Sequence, residues 1–214
     1  MENKTTELVF ILDKSGSMSG LESDTIGGFN AMIEKQKALE GKVYVSTLLF
    51  STQVNTLHDR LPLQEIQPLT AQDYQVGGCT ALLDAVGGAI EHIATIHKYA
   101  RKEDVPHNTM FIITTDGMEN ASTKYSREQV KAFIREKEKL GWNFLFLAAN
   151  IDAVETAESI GIRKEHAANY CAAEDTACLY EVVEEATFSL RRDGFIDDNW
   201  GANCEKTLKS RRRK

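Results

Sequence analysis

The sequence has little cysteine and no long apolar run. Among its 214 residues there is no CxxC pair, and the four cysteines are scattered at Cys79, Cys171, Cys178 and Cys204. Scattered cysteines are typical of reduced thiols rather than of a disulfide framework or a zinc site. No stretch is long and apolar enough to cross a bilayer, and the polar first residues contain no apolar core of a signal peptide. These absences predict a cytoplasmic protein that does not enter a membrane.

Positive charge is also scarce. The chain has 32 acidic and 25 basic side chains, which gives a formal net charge of −7 at pH 7. An acidic balance of this size argues against a nucleic acid or an anionic membrane as the main partner. The local exception is the basic end at residues 210–214, which in most proteins is simply solvated and less often binds a partner.

The residues that are present indicate a globular α/β domain. Apolar residues make up 42% and charged residues 27% of the chain, and the length suffices for one domain with a large core. Apolar segments alternate with amphipathic ones, which predicts a doubly wound, mainly parallel sheet of Rossmann-like type with helices on both faces. Strands are predicted at 9–12, 43–50, 54–58, 109–115 and 143–149. Of these, 43–50 and 54–58 are expected to form an antiparallel margin.

A polar loop follows the first predicted strand. Its sequence is Asp13-Lys14-Ser15-Gly16-Ser17, so a carboxylate stands at the carboxyl end of the strand. The oxygens of Asp13, Ser15 and Ser17 can converge because the residues alternate along an extended loop and Gly16 adds no side chain. Three hard oxygen donors in one turn suit a hard cation. The alternative is an ordinary strand-to-helix turn whose hydroxyls cap the helix.

Two later segments are expected to bring oxygen atoms to the same place. Thr80 follows two glycines and precedes an apolar helical stripe, so it is predicted at the first residue of a helix, either as a ligand or merely as an N-cap. Asp116 follows the predicted strand 109–115. The carboxyl ends of central parallel strands and the helix starts after them meet at one crevice. The residues expected to lie together there are Asp13, Ser15, Ser17, Thr80 and Asp116.

The neighbours of these residues are predicted to be structural. Cys79 is expected to be a small buried hydrophobic residue. Glu119 and Asn120 are expected in an exposed, solvated loop, although Glu119 could instead influence a metal or an incoming acidic ligand. Ser126 and Asp152 are predicted to cap the next two helices.

Three separated segments resemble the metal-ion-dependent adhesion site (MIDAS) of von Willebrand factor A-type (VWA) domains. They are Asp13-x-Ser15-x-Ser17, Thr80 within Gly-Gly-x-Thr-x-Leu-x-Asp, and Thr115-Asp116-Gly117. All five motif positions are filled, in order, on the expected elements. The resemblance spans residues 5–192 as one VWA domain and leaves 193–214 as an irregular basic tail. It implies that Ser15, Ser17 and Thr80 bind a metal directly in the ligand-competent state, and that Asp13 and Asp116 bind it directly or through water.

The resemblance also implies a function. It predicts a metal-dependent protein-binding module that presents Mg²⁺, with Mn²⁺ or Ca²⁺ as alternatives, to an Asp or Glu of a partner in an intracellular complex. Two carboxylates and three hydroxyls give five oxygens of low total charge, and a cation held by so few anionic ligands attracts an outside carboxylate.

The alternative function is a metal-assisted phosphotransferase or hydrolase that uses Asp13 as the nucleophile. The sequence has no Walker-type phosphate loop and no Lys or Arg clearly placed on a transferring group, which argues against this alternative. An intact set of five residues also argues against a bare scaffold with a vestigial site.

Overall fold

The computed structural model describes residues 5–149, 151–170, 176–196 and 200, with only the backbone of 176–178. Within these ranges, no helix combines the length and the apolar character that a membrane crossing needs. Some predictions concern residues outside the described set, namely those for the basic end at 210–214 and for the side chains of Cys171, Cys178 and Cys204.

Among the described residues, six strands form one central sheet. They are, in chain order, β1 (Thr6–Asp13), β2 (Val43–Phe50), β3 (Val54–Pro62), β4 (Asn108–Thr115), β5 (Trp142–Ala148) and β6 (Ala167–Asn169). Their order in space is β3-β2-β1-β4-β5-β6, and all neighbours are parallel except β2 and β3. The predicted mainly parallel sheet with an antiparallel edge strand is therefore confirmed. The edge strand β3 ends at Pro62 rather than at residue 58.

In the part of the chain that the structure describes, five α-helices cover the sheet, on both of its faces as predicted. They are α1 (Glu22–Lys37), α2 (Leu82–Tyr99), α3 (Arg127–Glu138), α4 (Ala153–Ile160) and α5 (Thr176–Asp193). Phe29 of α1 and Val183 of α5 belong to the core cluster on one face. Ile90 of α2, Ile134 of α3 and Ala157 of α4 belong to the cluster on the other face.

Strand β1 separates the two core clusters. Because side chains alternate along a strand, Leu8, Phe10 and Leu12 pack towards α1 and α5, whereas Val9 and Ile11 pack towards α2, α3 and α4. All eight residues of β1 are buried, as in a central parallel strand. Each large apolar side chain buried in this way contributes about 1.5–3 kcal/mol, so the core carries most of the stability of the domain.

The winding of the sheet reverses between β1 and β4. From β1 the chain adds β2 and β3 on one side, and it then crosses through α2 to β4 on the other side of β1. Such a topological switch opens a crevice at the carboxyl ends of the two strands. Asp13 is the last residue of β1 and Asp116 directly follows β4. Both predicted carboxylates therefore stand at this crevice.

The starts of the helices agree with the predictions in two cases and differ in one. Ser126 forms a capping box at the start of α3, and Asp152 caps α4. Helix α2, in contrast, begins at Leu82, and its N-cap position is occupied by Ala81. The prediction that Thr80 is the first helical residue or the N-cap is therefore wrong. Its hydroxyl is directed into the crevice instead.

Candidate metal site at the crevice between β1 and β4

Three hydroxyl groups from two loops converge beside Gly117. The Ser15 and Ser17 hydroxyl oxygens are 3.0 Å apart. A Cβ atom placed on Gly117 would lie 2.5 Å from Thr80 Oγ1, 2.9 Å from Ser17 Oγ and 3.4 Å from Ser15 Oγ. One point in space is thus surrounded by three hydroxyl oxygens. Only a residue without a side chain leaves that point open.

Asp13 is fully buried, and both of its carboxylate oxygens accept hydrogen bonds. Oδ1 accepts from the Ser15 N–H at 2.7 Å, and Oδ2 accepts from the Thr115 hydroxyl at 2.6 Å. The backbone carbonyl of Asp13 accepts from the hydroxyl of Tyr74. These bonds fix the orientation of the carboxylate at the end of β1 before any ligand arrives.

Asp116 is buried at the end of β4, one residue before Gly117. The pKa values of two buried tyrosines are affected by the negative charge of this residue and of Asp13. Burial raises the pKa of Tyr170, and the negative charges of Asp116 and Asp13 raise it further. Burial likewise raises the pKa of Tyr74. Both phenols therefore stay neutral at pH 7, and the two carboxylates create a negative potential that a cation would offset.

The loop after β4 holds Thr80 in place. Asn120 Oδ1 accepts from the Thr80 N–H at 2.8 Å, and the Asn120 N–H donates to the Thr80 carbonyl at 3.0 Å. Glu119 accepts from the Leu83 N–H at 2.9 Å and from the Ser122 hydroxyl at 2.7 Å. Glu119 is half-buried, so the prediction of a solvated side chain is wrong for this residue, whereas Asn120 is exposed as predicted.

The loops that carry the serines and the threonine are also joined directly. The Gly16 N–H donates to the Gly78 carbonyl at 3.0 Å, and the Gly77 N–H donates to the Lys14 carbonyl at 2.9 Å. Gly78 has a φ of 81°, a left-handed conformation that favours glycine. The relative position of the three hydroxyls therefore depends on backbone bonds and not on flexible side chains alone.

Cys79 lies beside Thr80 and is exposed. The prediction that it is buried is therefore wrong. Its N–H donates to the Thr52 hydroxyl at 2.9 Å, which ties this loop to the β2–β3 turn and leaves the thiol facing solvent.

The donors fit a hard divalent cation. Among the described residues there is no group of three or more His, Cys, Asp or Glu side chains that could hold a metal, and a set of two carboxylates with three hydroxyls is consistent with that finding. Carboxylate and hydroxyl oxygens are the donors that Mg²⁺ takes. Ser15 and Thr80 are buried while Ser17 is exposed, so the crevice opens to solvent on the side of Ser17.

Sequence reasoning missed three residues that position the site. Thr115 was recognised only as part of the motif, although a threonine at the end of a buried strand and next to a carboxylate is a readable signal for a hydrogen bond. Tyr74 and Asn120 lie 61 and 40 residues along the chain from their partners Asp13 and Thr80. Asn120 is close to Asp116 in the sequence, but no local pattern reveals either of these two contacts.

Solved structures share this fold. The vWF domain of the type V pili tip protein Mfa5 from Porphyromonas gingivalis is similar with a TM-score of 0.63 and 10% identity, over 92% of this chain and 100% of that chain. The ArnB paralog VWA2 from Sulfolobus acidocaldarius is similar with a TM-score of 0.56 and 19% identity, over 86% of this chain and 45% of that chain. Likeness at these identities shows the fold alone.

A third similar structure is that of proximal thread matrix protein 1 from the mussel byssus with a zinc-occupied MIDAS motif. Its TM-score is 0.60 and its identity 14%, over 86% of this chain and 48% of that chain. The chain therefore spans about half the length of the mussel protein.

Sequence comparison gives a family. Among curated proteins, none matches the sequence. The family model described as VWA domain containing CoxE-like protein matches residues 1–159, which is well over half of the 214 residues and includes all five residues of the crevice. The chain therefore belongs to the family of VWA domain containing CoxE-like proteins.

Proposed function

We propose that this VWA domain is a metal-dependent protein-binding module. The module would present a divalent cation to an Asp or Glu of a protein partner. Mg²⁺ is the first candidate for this cation, with Mn²⁺ or Ca²⁺ as alternatives. The observation that carries it is the convergence of three hydroxyls on the open point beside Gly117. The zinc in the MIDAS motif of the mussel protein supports divalent-metal binding here. The residues that would hold the cation are Asp13, Ser15, Ser17, Thr80 and Asp116.

The charge of the donors favours presentation to a partner. Two carboxylates and three neutral hydroxyls leave the shell short of negative oxygens, and a cation so held supplies a strong attraction for an outside carboxylate. Asp13 is fully buried whereas Ser17 is exposed, so this carboxylate lies deeper than the Ser17 hydroxyl. A partner carboxylate arriving from solvent would approach beside Ser17 and not past Asp13.

The environment of Asp13 disfavours the alternative function. A nucleophilic carboxylate must offer an accessible oxygen to the substrate. Asp13 is 0% exposed, and its two oxygens already accept hydrogen bonds from Ser15 and Thr115. We therefore propose the binding module and not a phosphotransferase or hydrolase.

The test compares wild type with Thr80→Ala and Asp13→Ala. Mg²⁺ and Mn²⁺ affinities are measured by calorimetry, and partner capture from lysate is measured with and without chelator. Asp13→Ala should abolish metal binding. Thr80→Ala removes one neutral oxygen that water can replace, so metal affinity should fall by no more than roughly tenfold, while partner capture should drop to the level seen with chelator. Thr123→Ala, at an exposed threonine, is the matched control and should behave as wild type.

Two results would overturn the proposal. One is full partner capture by Thr80→Ala, and the other is a phosphorylated Asp13 in the intact mass of wild type after incubation with acetyl phosphate. Chelator alone should leave the protein folded with a modest fall in melting temperature, because the buried core carries most of the stability.

A further inference from the structure

A second distinctive surface surrounds Trp142, at the opposite end of the strands from the candidate metal site. Trp142 is the first residue of β5, and Ala148 at its other end lies beside the last residue of β4. At about 3.3 Å per residue, these two ends of β5 are about 20 Å apart. Two open clefts of about 710 and 590 Å³ meet at Gly141 and Trp142. Together they form one trough.

The trough is basic although the protein is acidic. Five cationic side chains line it, and we call the surface formed by them and Trp142 the basic trough. They are Lys98, Arg135, Lys137, Lys139 and Arg163. Two carboxylates also line it. Glu91 accepts a hydrogen bond from the Tyr125 hydroxyl at 2.6 Å, and Glu138 pairs with Arg163 at 3.5 Å. A third carboxylate, that of Glu136, pairs with Lys137 at 2.8 Å. Five cations against three anions still contrast with the net charge of −7 for the whole chain.

The centre of the trough is a rigid apolar floor. The Trp142 ring stacks on Phe111 with centroids 5.4 Å apart, and His97 packs edge-on at 5.2 Å. The ammonium of Lys137 lies 5.7 Å from the indole centroid. Leu140 lines the trough beside the indole and is 67% exposed. The trough therefore joins positive charge to an accessible apolar side chain.

We propose that the basic trough binds an acidic segment of a partner protein that carries an apolar side chain among its carboxylates. Charge complementarity selects the acidic residues, because opposite potentials across an interface give specificity and a fast association rate. Leu140 and the rim of the indole contact the apolar side chain. The two clefts share only Gly141 and Trp142, so together they suit an extended chain better than one compact ligand.

A nucleic acid fits the trough less well. Single strands bind through exposed aromatic faces on which bases stack, whereas Trp142 is only 9% exposed and one of its faces is covered by Phe111. Duplexes need many phosphate contacts, and the acidic remainder of the chain would repel the flanking phosphates. The trough thus gives the domain a second protein-binding surface, which does not depend on the metal and does not rest on the function proposed above.

The test uses a short fluorescein-labelled peptide of Asp and Glu with a central Leu-Trp pair, measured by fluorescence anisotropy in chelator, so that no metal at the candidate site can bind the carboxylates of the peptide. Arg135→Ala/Lys139→Ala removes two exposed cations of the trough and should weaken binding by about fivefold or more. The matched control Lys35→Ala/Lys42→Ala removes the same charge from other exposed sites and should leave binding unchanged. Leu140→Ser should also weaken the binding of this peptide.

Three probes and one spectroscopic readout decide the outcome. A peptide with Gln and Asn in place of the acids should not bind, and the indole N–H resonance of Trp142, assigned with Trp142→Phe, should shift on titration with the acidic peptide. The proposal is overturned by absence of binding in chelator or by equal loss in both double variants. Tighter binding of a thymidine oligonucleotide than of the acidic peptide would also overturn it and would identify a nucleic-acid surface.

Discussion

The Thr115 hydroxyl donates a hydrogen bond of 2.6 Å to Oδ2 of Asp13, and both residues are completely buried. This bond joins the end of β4 to the end of β1 across the topological switch. A hydrogen bond to a charged group contributes about 1.5–3 kcal/mol. The orientation of the first carboxylate of the site is therefore set partly by the neighbouring strand.

Replacing Thr115 by Val should weaken both the fold and the metal site. The substitution keeps the shape and removes the donor, so we expect the free energy of unfolding to fall by about 1–3 kcal/mol and Mg²⁺ affinity to decrease with it. Urea unfolding and calorimetry measure the two effects. Thr114→Val, at a buried threonine on the opposite face of the same strand, is the control for metal affinity. Unchanged Mg²⁺ affinity in Thr115→Val would show that this bond does not position the site.

The topology and the two carboxylates could be predicted from the sequence because strand ends are marked locally. Asp13 ends β1 and Asp116 directly follows β4, and a glycine stands shortly after each of them, at Gly16 and Gly117. The alternation of strands and helices then requires the carboxyl ends of these strands to meet at one crevice. No knowledge of side-chain contacts is needed for that step.

The start of α2 could not be predicted because its caps come from elsewhere in the chain. The Leu83 N–H is bound by Glu119, and the Asp84 N–H is bound by the Ser122 hydroxyl at 3.0 Å, from 36 and 38 residues further along. In the sequence, Thr80 before an apolar stripe looks like an N-cap. Tertiary contacts supply the cap instead, and they leave the Thr80 hydroxyl for the site.

Gly117→Ala should block the metal site while the fold persists. The new methyl group would lie 2.5 Å from Thr80 Oγ1, too close for an ordinary contact, and it would fill the point around which the hydroxyls converge. We expect Mg²⁺ binding to be lost and stability to fall by about 1–3 kcal/mol from overpacking. Calorimetry and thermal unfolding, with a circular dichroism spectrum to check the fold, measure these effects.

Gly88→Ala is the matched control. A Cβ at Gly88, inside α2, meets no atom within 4 Å, and alanine is favoured over glycine in a helix by about 1 kcal/mol. This variant should bind Mg²⁺ as wild type does and should be slightly more stable. If Gly117→Ala binds Mg²⁺ with wild-type affinity, the open point beside Gly117 is not the metal position.

Asp84 ties the loop after β4 to helix α2. Its carboxylate accepts backbone hydrogen bonds from Thr123, Lys124 and Tyr125 at 3.0, 2.8 and 3.0 Å. Partial burial works to raise the pKa of Asp84, but the three N–H donors outweigh it and hold the pKa below its usual value. The ionised carboxylate therefore stabilises the folded state, and it does so through the loop that also carries Asn120 and hence Thr80.

This lowered pKa predicts how stability changes in acid. A group whose pKa is lower in the folded than in the unfolded chain stabilises the fold above its unfolded pKa, and the contribution is lost as the pH falls through the folded pKa. Wild type should therefore lose this contribution below about pH 4. Asp84→Asn should be less stable than wild type at pH 7, and the two unfolding curves, measured by urea denaturation from neutral to acid pH, should converge as the pH falls. Asp24→Asn, at an exposed aspartate of α1, is the control and should stay close to wild type throughout. A constant gap between wild type and Asp84→Asn at every pH would show that the charge of Asp84 does not hold the loop to α2.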